Sequence, residues 1–159
     1  MPTGILSVSP IEADQRDLRA ILADCHGPIQ RVRTVEDTLR SLARRPVPLI
    51  VCERDLPDGD WKMLFRQTEA LPRPPRFIVS SRLADDRLWV EVLNLGGHDV
   101  LRTPFIAREL RHAAESAWNA WQRQWAPATR CAGRQEARPG TVEHPVPERR
   151  SLGLRSGAA

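Results

Sequence analysis

Short apolar runs alternate with longer stretches in which apolar residues recur every three or four positions, and the alternation repeats five times before Trp125. Ile5-Leu6-Ser7-Val8, Leu49-Ile50-Val51-Cys52 and Phe77-Ile78-Val79 are largely apolar and of strand length, as strands covered on both faces must be. Ile29 to Arg33 and Val100-Leu101 are weaker versions of the same signal. After each run a helical period takes over. Leu18, Ile21 and Leu22 mark the first such stretch, and Val35, Leu39 and Leu42 the second. Trp61, Leu64 and Phe65 mark the third, and Leu88, Val92 and Leu95 the fourth. Leu110, Ala114, Ala117, Trp118, Trp121 and Trp125 form the last stripe.

The punctuation agrees with this division. Ser9-Pro10-Ile11-Glu12 predicts a capping box, with Ser9 as N-cap, Pro10 at the first helical position and Glu12 at the third. The helix it opens is expected to run to about Asp24, where Gly27-Pro28 breaks it. Thr34-Val35-Glu36-Asp37 predicts a second N-cap, and Gly96-Gly97 a C-terminal cap. Five repeats of strand then helix predict an α/β fold, because parallel strands need crossover connections. The default for five right-handed units is a five-stranded parallel sheet in the order 2-1-3-4-5. In such sheets the chemistry gathers beyond the carboxyl ends of the strands. Glu53, at the end of the third run, is the first candidate, and Leu56-Pro57-Asp58-Gly59 turns the chain just after it.

Length and composition narrow the picture. The 159 residues divide into a domain at 1–125 and a Pro/Arg/Gly-rich stretch at 126–159 without periodicity, expected to be disordered. The formal charge of +4 comes mainly from that stretch, which has six Arg against three Glu; residues 1–125 hold 18 basic and 17 acidic residues. The charge balance is therefore weak support for a nucleic-acid face on the domain. No apolar run approaches the roughly 18–20 residues that span a bilayer, and the N-terminus lacks the pattern of a secretory signal. Cys25, Cys52 and Cys131 form no paired motif, and His26, His98, His112 and His144 have no ligand spacing. The expected setting is a reducing cytoplasm, with no membrane contact, no resident metal and no disulfide framework.

With the five repeats in place, residues 1–125 resemble the receiver domain of bacterial response regulators. The local pieces that carry the resemblance are Pro48-Leu-Ile-Val-Cys-Glu-Arg-Asp-Leu-Pro-Asp-Gly59 and Leu95-Gly-Gly-His-Asp-Val-Leu-Arg-Thr-Pro-Phe105. The resemblance implies a flavodoxin-like (βα)5 fold and a role in phosphorelay signalling rather than catalysis of metabolism. In that family an Asp ending the third strand accepts a phosphoryl group from a histidine kinase, an acidic pair after the first strand helps hold Mg²⁺, and a Ser or Thr and a Lys contact the phosphate. Carried across, the acceptor falls on Glu53, the acidic pair on Ser9 and Pro10, the hydroxyl on Ser80 and the Lys on Thr103. The aromatic that reports activation falls on Val100, and a cis bond is implied at Thr103-Pro104. Ser9 and Pro10 offer Mg²⁺ no carboxylate, and Thr103 offers phosphate no cation, so Mg²⁺ binding and conventional phosphorylation are expected to be lost or weak.

Glu53 then admits two readings: a standing negative charge that imitates the phosphorylated state, or an inert carboxylate in a former pocket, with Arg54 or Arg102 as possible ion-pair partners. Asp55 offers an alternative acceptor, although Asp55, Asp58 and Asp60 also suit plain turn chemistry. A ligand-binding flavodoxin-like protein is the competing class, but Ser9-Pro10 stands where a Gly-rich phosphate loop would be expected. Trp118, Trp121 and Trp125 crowd one helical stripe, and with Trp89 they mark a candidate interface for a homodimer or partner protein through the fourth helix, fifth strand and fifth helix. No stretch is long enough for a helix-turn-helix output module, so a direct nucleic-acid role is not expected.

Overall fold

In the computed structural model, which describes residues 3–125, the five expected strands form one parallel sheet. They are β1 (Ile5–Val8), β2 (Ile29–Val32), β3 (Leu49–Glu53), β4 (Arg76–Ser81) and β5 (Asp99–Arg102), in the spatial order β2-β1-β3-β4-β5. The crossovers are α1 (Glu12–Ile21), α2 (Val35–Arg44), α3 (Trp61–Glu69), α4 (Asp86–Leu95) and α5 (Ala107–Trp125). The disorder expected for 126–159 lies outside the described residues.

Side chains alternate across each strand, so one apolar run serves two cores. Ile50 and Cys52 of β3 face a core with Trp61, Leu64, Phe65, Leu88 and Val92. Leu49 and Val51 face the other, with Leu18, Leu22, Leu110, Ala113, Ala114 and Ala117. That double burial is why β1, β3 and β4 read as continuous hydrophobic stretches. Cys52 is fully buried among them, and desolvation holds its thiol well above the ordinary range, in keeping with a small core residue.

The first cap differs from expectation. α1 begins at Glu12 with Ile11 as its N-cap, and no side chain caps it. Ser9 remains tied to the sheet, its amide donating to the Val32 carbonyl at 3.1 Å, while its hydroxyl accepts from the Ile11 amide at 3.0 Å. Pro10 therefore sits in the connection, outside the helix. The helix also ends at Ile21, three residues short of the expected Asp24, because the chain tightens there to reach β2: the Cys25 amide bonds the Leu22 carbonyl, and His26 and Gly27 take positive φ.

The other caps form. Thr34 accepts from the Asp37 amide, Asp60 from Met63 and Asp85 from Leu88, and Gly96 closes α4 with φ 101°. The Pro57 turn closes a two-residue antiparallel hairpin, Asp55–Leu56 against Gly59–Asp60. From that hairpin Asp58 reaches across to α2, accepting from the Val35 amide at 2.8 Å and the Glu36 amide at 3.0 Å. Two of the orphan amides of the helix N-terminus are thus satisfied by a residue 23 positions away from the first of them. Asp58→Ala is expected to lower stability by about 1–2 kcal/mol, as loss of a cap does, and Asp58→Asn by less; urea denaturation measures both.

Candidate functional site

The carboxyl ends of β1, β3, β4 and β5 bring together a buried polar cluster of Ser9, Glu53, Ser80 and Thr103. The register explains the convergence. Glu53 is paired directly opposite Ser80, and the Thr103 amide donates to the Ser81 carbonyl at 3.1 Å. Thr103-Pro104 is a cis bond. The positions that the resemblance assigned to one pocket thus lie together at the strand ends, with Pro10 at the margin, half-buried.

Glu53 is 7% exposed, and Ser80 Oγ donates to its Oε2 at a long 3.4 Å. Neither expected guanidinium partner engages it. Arg54 turns to Asp55, at 2.8 Å, and Arg102 donates to the Ala84 carbonyl at 3.2 Å. Ser9 is equally committed: its hydroxyl and amide are used as above, and its carbonyl accepts from Gln15 Nε2 at 2.7 Å. The Thr103 hydroxyl is 2% exposed as a residue and has no hydrogen-bond partner among the described residues.

Asp14 and Arg82 are the members that the sequence reading missed. Asp14 is 3% exposed and comes from the first turn of α1. One of its oxygens lies 3.5 Å from the guanidinium of Arg82, which follows β4; the other is buried without a partner among the described residues. The helical stripe carried the signal for Asp14. Counting back four from Leu18 places it on the inward face of α1, where a charged residue is rarely buried without a purpose. Nothing in the sequence marks Arg82.

Two carboxylates now share one desolvated pocket. Burial raises the Glu53 pKa to about 7, the Asp14 charge adds to the rise, and the hydrogen bonds from the Arg54 amide and Ser80 oppose it. Asp14 is raised as well, by burial first, with Arg82 pulling the other way. Glu53 is consequently divided between its neutral and ionised forms near neutral pH.

The tryptophans need a correction. Trp121 is 1% exposed and Trp118 is buried, its ring stacked on His26 at a centroid distance of 4.7 Å. Trp125 is half-buried. Alanines at 113, 114 and 117 pack against the sheet, and Trp118 and Trp121 beyond them are buried within the domain and do not present a surface, while Trp125 is only partly covered. Trp89 alone of the expected set stands out, 49% exposed on α4 beside Val90.

No protein-family model matches the chain. It is 28% identical over 124 residues to the KDP operon transcriptional regulatory protein KdpE of Escherichia coli (strain K12), a match covering 72% of this chain and 55% of that protein. The chain therefore spans little more than half the length of that relative. Among solved structures it is similar to the signal receiver domain of a Luxo repressor protein from Vibrio parahaemolyticus, with a TM-score of 0.72 at 18% identity over 78% of this chain and 95% of that one. It is also similar to the signal receiver domain of an HD domain-containing protein from Pseudomonas fluorescens Pf-5, with a TM-score of 0.69 at 25% identity over 77% and 90%. The chain thus shares the fold of these signal receiver domains, flavodoxin-like sheet order included, and is similar in sequence to a transcriptional regulatory protein.

Proposed function

We propose that this chain acts as an atypical receiver that signals through protein contacts, with Glu53 in place of the phosphoaccepting Asp and without conventional phosphoryl chemistry. The observation that carries the reading is the state of the pocket. Mg²⁺ requires near-octahedral oxygen ligands and is usually held by carboxylates, phosphate and water. Neither Ser9 nor Pro10 offers a carboxylate, the Ser9 hydroxyl already accepts one backbone hydrogen bond, and one oxygen of the nearby Asp14 faces the Arg82 guanidinium. The two positions after β1 therefore do not supply the carboxylates the ion asks for. Arg82 places a guanidinium against Asp14, and a guanidinium cannot bridge a phosphoryl group and a nucleophile as a divalent ion does.

Glu53 on this reading is a conditional charge rather than a fixed one. Its partners are a histidine kinase or another signalling protein, met in the cytoplasm; among the described residues no helix is long and apolar enough to cross a membrane. The contact face is formed by α4, β5 and α5, where exposed Trp89 lies beside a groove that also takes in Val100, Arg102 and Glu109. The same face serves a homodimer.

Incubation with acetyl phosphate and Mg²⁺ is expected to leave the intact mass unchanged. A phosphoryl adduct mapped to Glu53 overturns the proposal. An adduct on Asp55 favours a functioning acceptor on the hairpin instead; Asp55 is exposed there and paired with Arg54, away from the buried hydroxyls that position a phosphate.

A further inference from the structure

We propose that the free edge of β2, with the arginines that flank it, is a docking site for an acidic peptide segment in extended conformation. β2 ends the sheet order and pairs only with β1, so its outer edge presents backbone groups that an added strand would satisfy. α1 and α2 wall that edge into a groove of about 590 Å³. Arg31, Arg33, Arg40, Arg44 and Arg45 open onto it, all exposed, against Glu12 and Asp37. Residues 1–125 as a whole are nearly balanced, with 18 basic and 17 acidic side chains, so this concentration of positive charge is local.

Part of the charge is already used. Arg40 holds Glu36 and Asp37, and Arg33 lies 3.9 Å from Glu12. Among the described residues Arg31, Arg44 and Arg45 have no carboxylate within 4.0 Å. Three guanidinium forks are left facing one groove, and the fork matches a carboxylate through two parallel hydrogen bonds.

The edge is also held in place before anything binds. Gln15, on the buried face of α1, donates from Nε2 to the carbonyls of Ser9 and Val32, both at 2.7 Å, and so ties the end of β2 to the end of β1 and to α1. An ordered edge lowers the entropy lost on association. A single-stranded nucleic acid fits less well, because no aromatic side chain lines the groove to stack a base.

The test uses the full chain, labelled with ¹⁵N, and an acetylated octapeptide alternating Glu and Val. Amide shifts are expected to concentrate at residues 29–33, with binding weakened at least about tenfold on going from low salt to about 0.3 M NaCl. The double variant Arg31→Glu, Arg44→Glu is expected to lose binding by about the same factor or more, with amide shifts outside the groove unchanged. An alternating Lys and Val peptide is expected to leave the spectrum unmoved. The proposal is overturned if the acidic peptide moves no amide in 29–33, or if the Lys peptide binds equally well. It is equally overturned if an oligothymidylate shifts these amides while the acidic peptide does not. Should the double variant fail to fold, the salt series and the Lys peptide on the wild type decide the matter.

Discussion

Raising the pH from about 5 to about 8 is expected to lower the stability of the wild type, relative to Glu53→Gln, by on the order of 2–3 kcal/mol. The sign follows from the direction of the shift. Glu53 holds its proton more tightly folded than unfolded, since burial and the Asp14 charge raise its pKa from 4.5 to about 7. The stabilisation is fully present below pH 4.5 and is lost as the pH rises through about 7. His26 and His98 act in the opposite sense: burial lowers both, so their contribution is lost as the pH falls. The difference between wild type and Glu53→Gln removes that background, and urea denaturation at a series of pH values measures it. Asp14→Asn deletes the second contributor and is expected to move the Glu53 midpoint to lower pH, read from the side-chain carboxyl carbon by NMR. A Glu53 carboxyl that titrates near pH 4.5, in wild type and variant alike, would show that the pocket is wetter than the structure has it.

Trp121→Ala is expected to cost about 3–5 kcal/mol of stability, the range for emptying a buried aromatic site. The residue is 1% exposed, and its indole is surrounded by protein. Loss on this scale is comparable to much of the stability of a domain this size, so the variant is expected to unfold at markedly lower urea, or to be recovered unfolded. Trp89→Ala provides the contrast. With 49% of Trp89 exposed, its removal is expected to change stability by no more than about 0.5 kcal/mol, while reducing any self-association seen by light scattering. Equal and small effects at both positions would mean that the terminal helix packs more loosely than described. A large effect at Trp89 would make that residue structural and remove it from the contact face.

The Trp121 and Trp89 pair shows where a sequence stops being informative. Four tryptophans fall at helical spacing or on an adjacent helix, and spacing alone does not say which way a wide stripe is turned. Trp118 is hidden because His26, ninety-two positions earlier, supplies a ring to stack on. Asp58 is a similar case: turn chemistry was legible at Pro57-Asp58-Gly59, but its service as a cap for a helix earlier in the chain was not. The Ser9-Pro10 misreading has the same origin. Local pattern favoured a capping box, and hydrogen bonds from the Ser9 amide to Val32 and from Gln15 to the Ser9 carbonyl tied Ser9 to the sheet end instead.

The strand and helix order and the parallel sheet were determined by the sequence itself, while the grouping of Ser9, Glu53, Ser80 and Thr103 was implied only by the resemblance to receiver domains. Period and run length respond to burial on one or two faces, and that requirement is written residue by residue. The charge state of Glu53 was decided only by the tertiary structure. It depends on how much water reaches the carboxyl group, on Asp14 entering from α1, on Arg82 drawn to Asp14, and on Arg54 turning away to Asp55. Electrostatic energies follow distance and desolvation, and neither is a property of position along the chain.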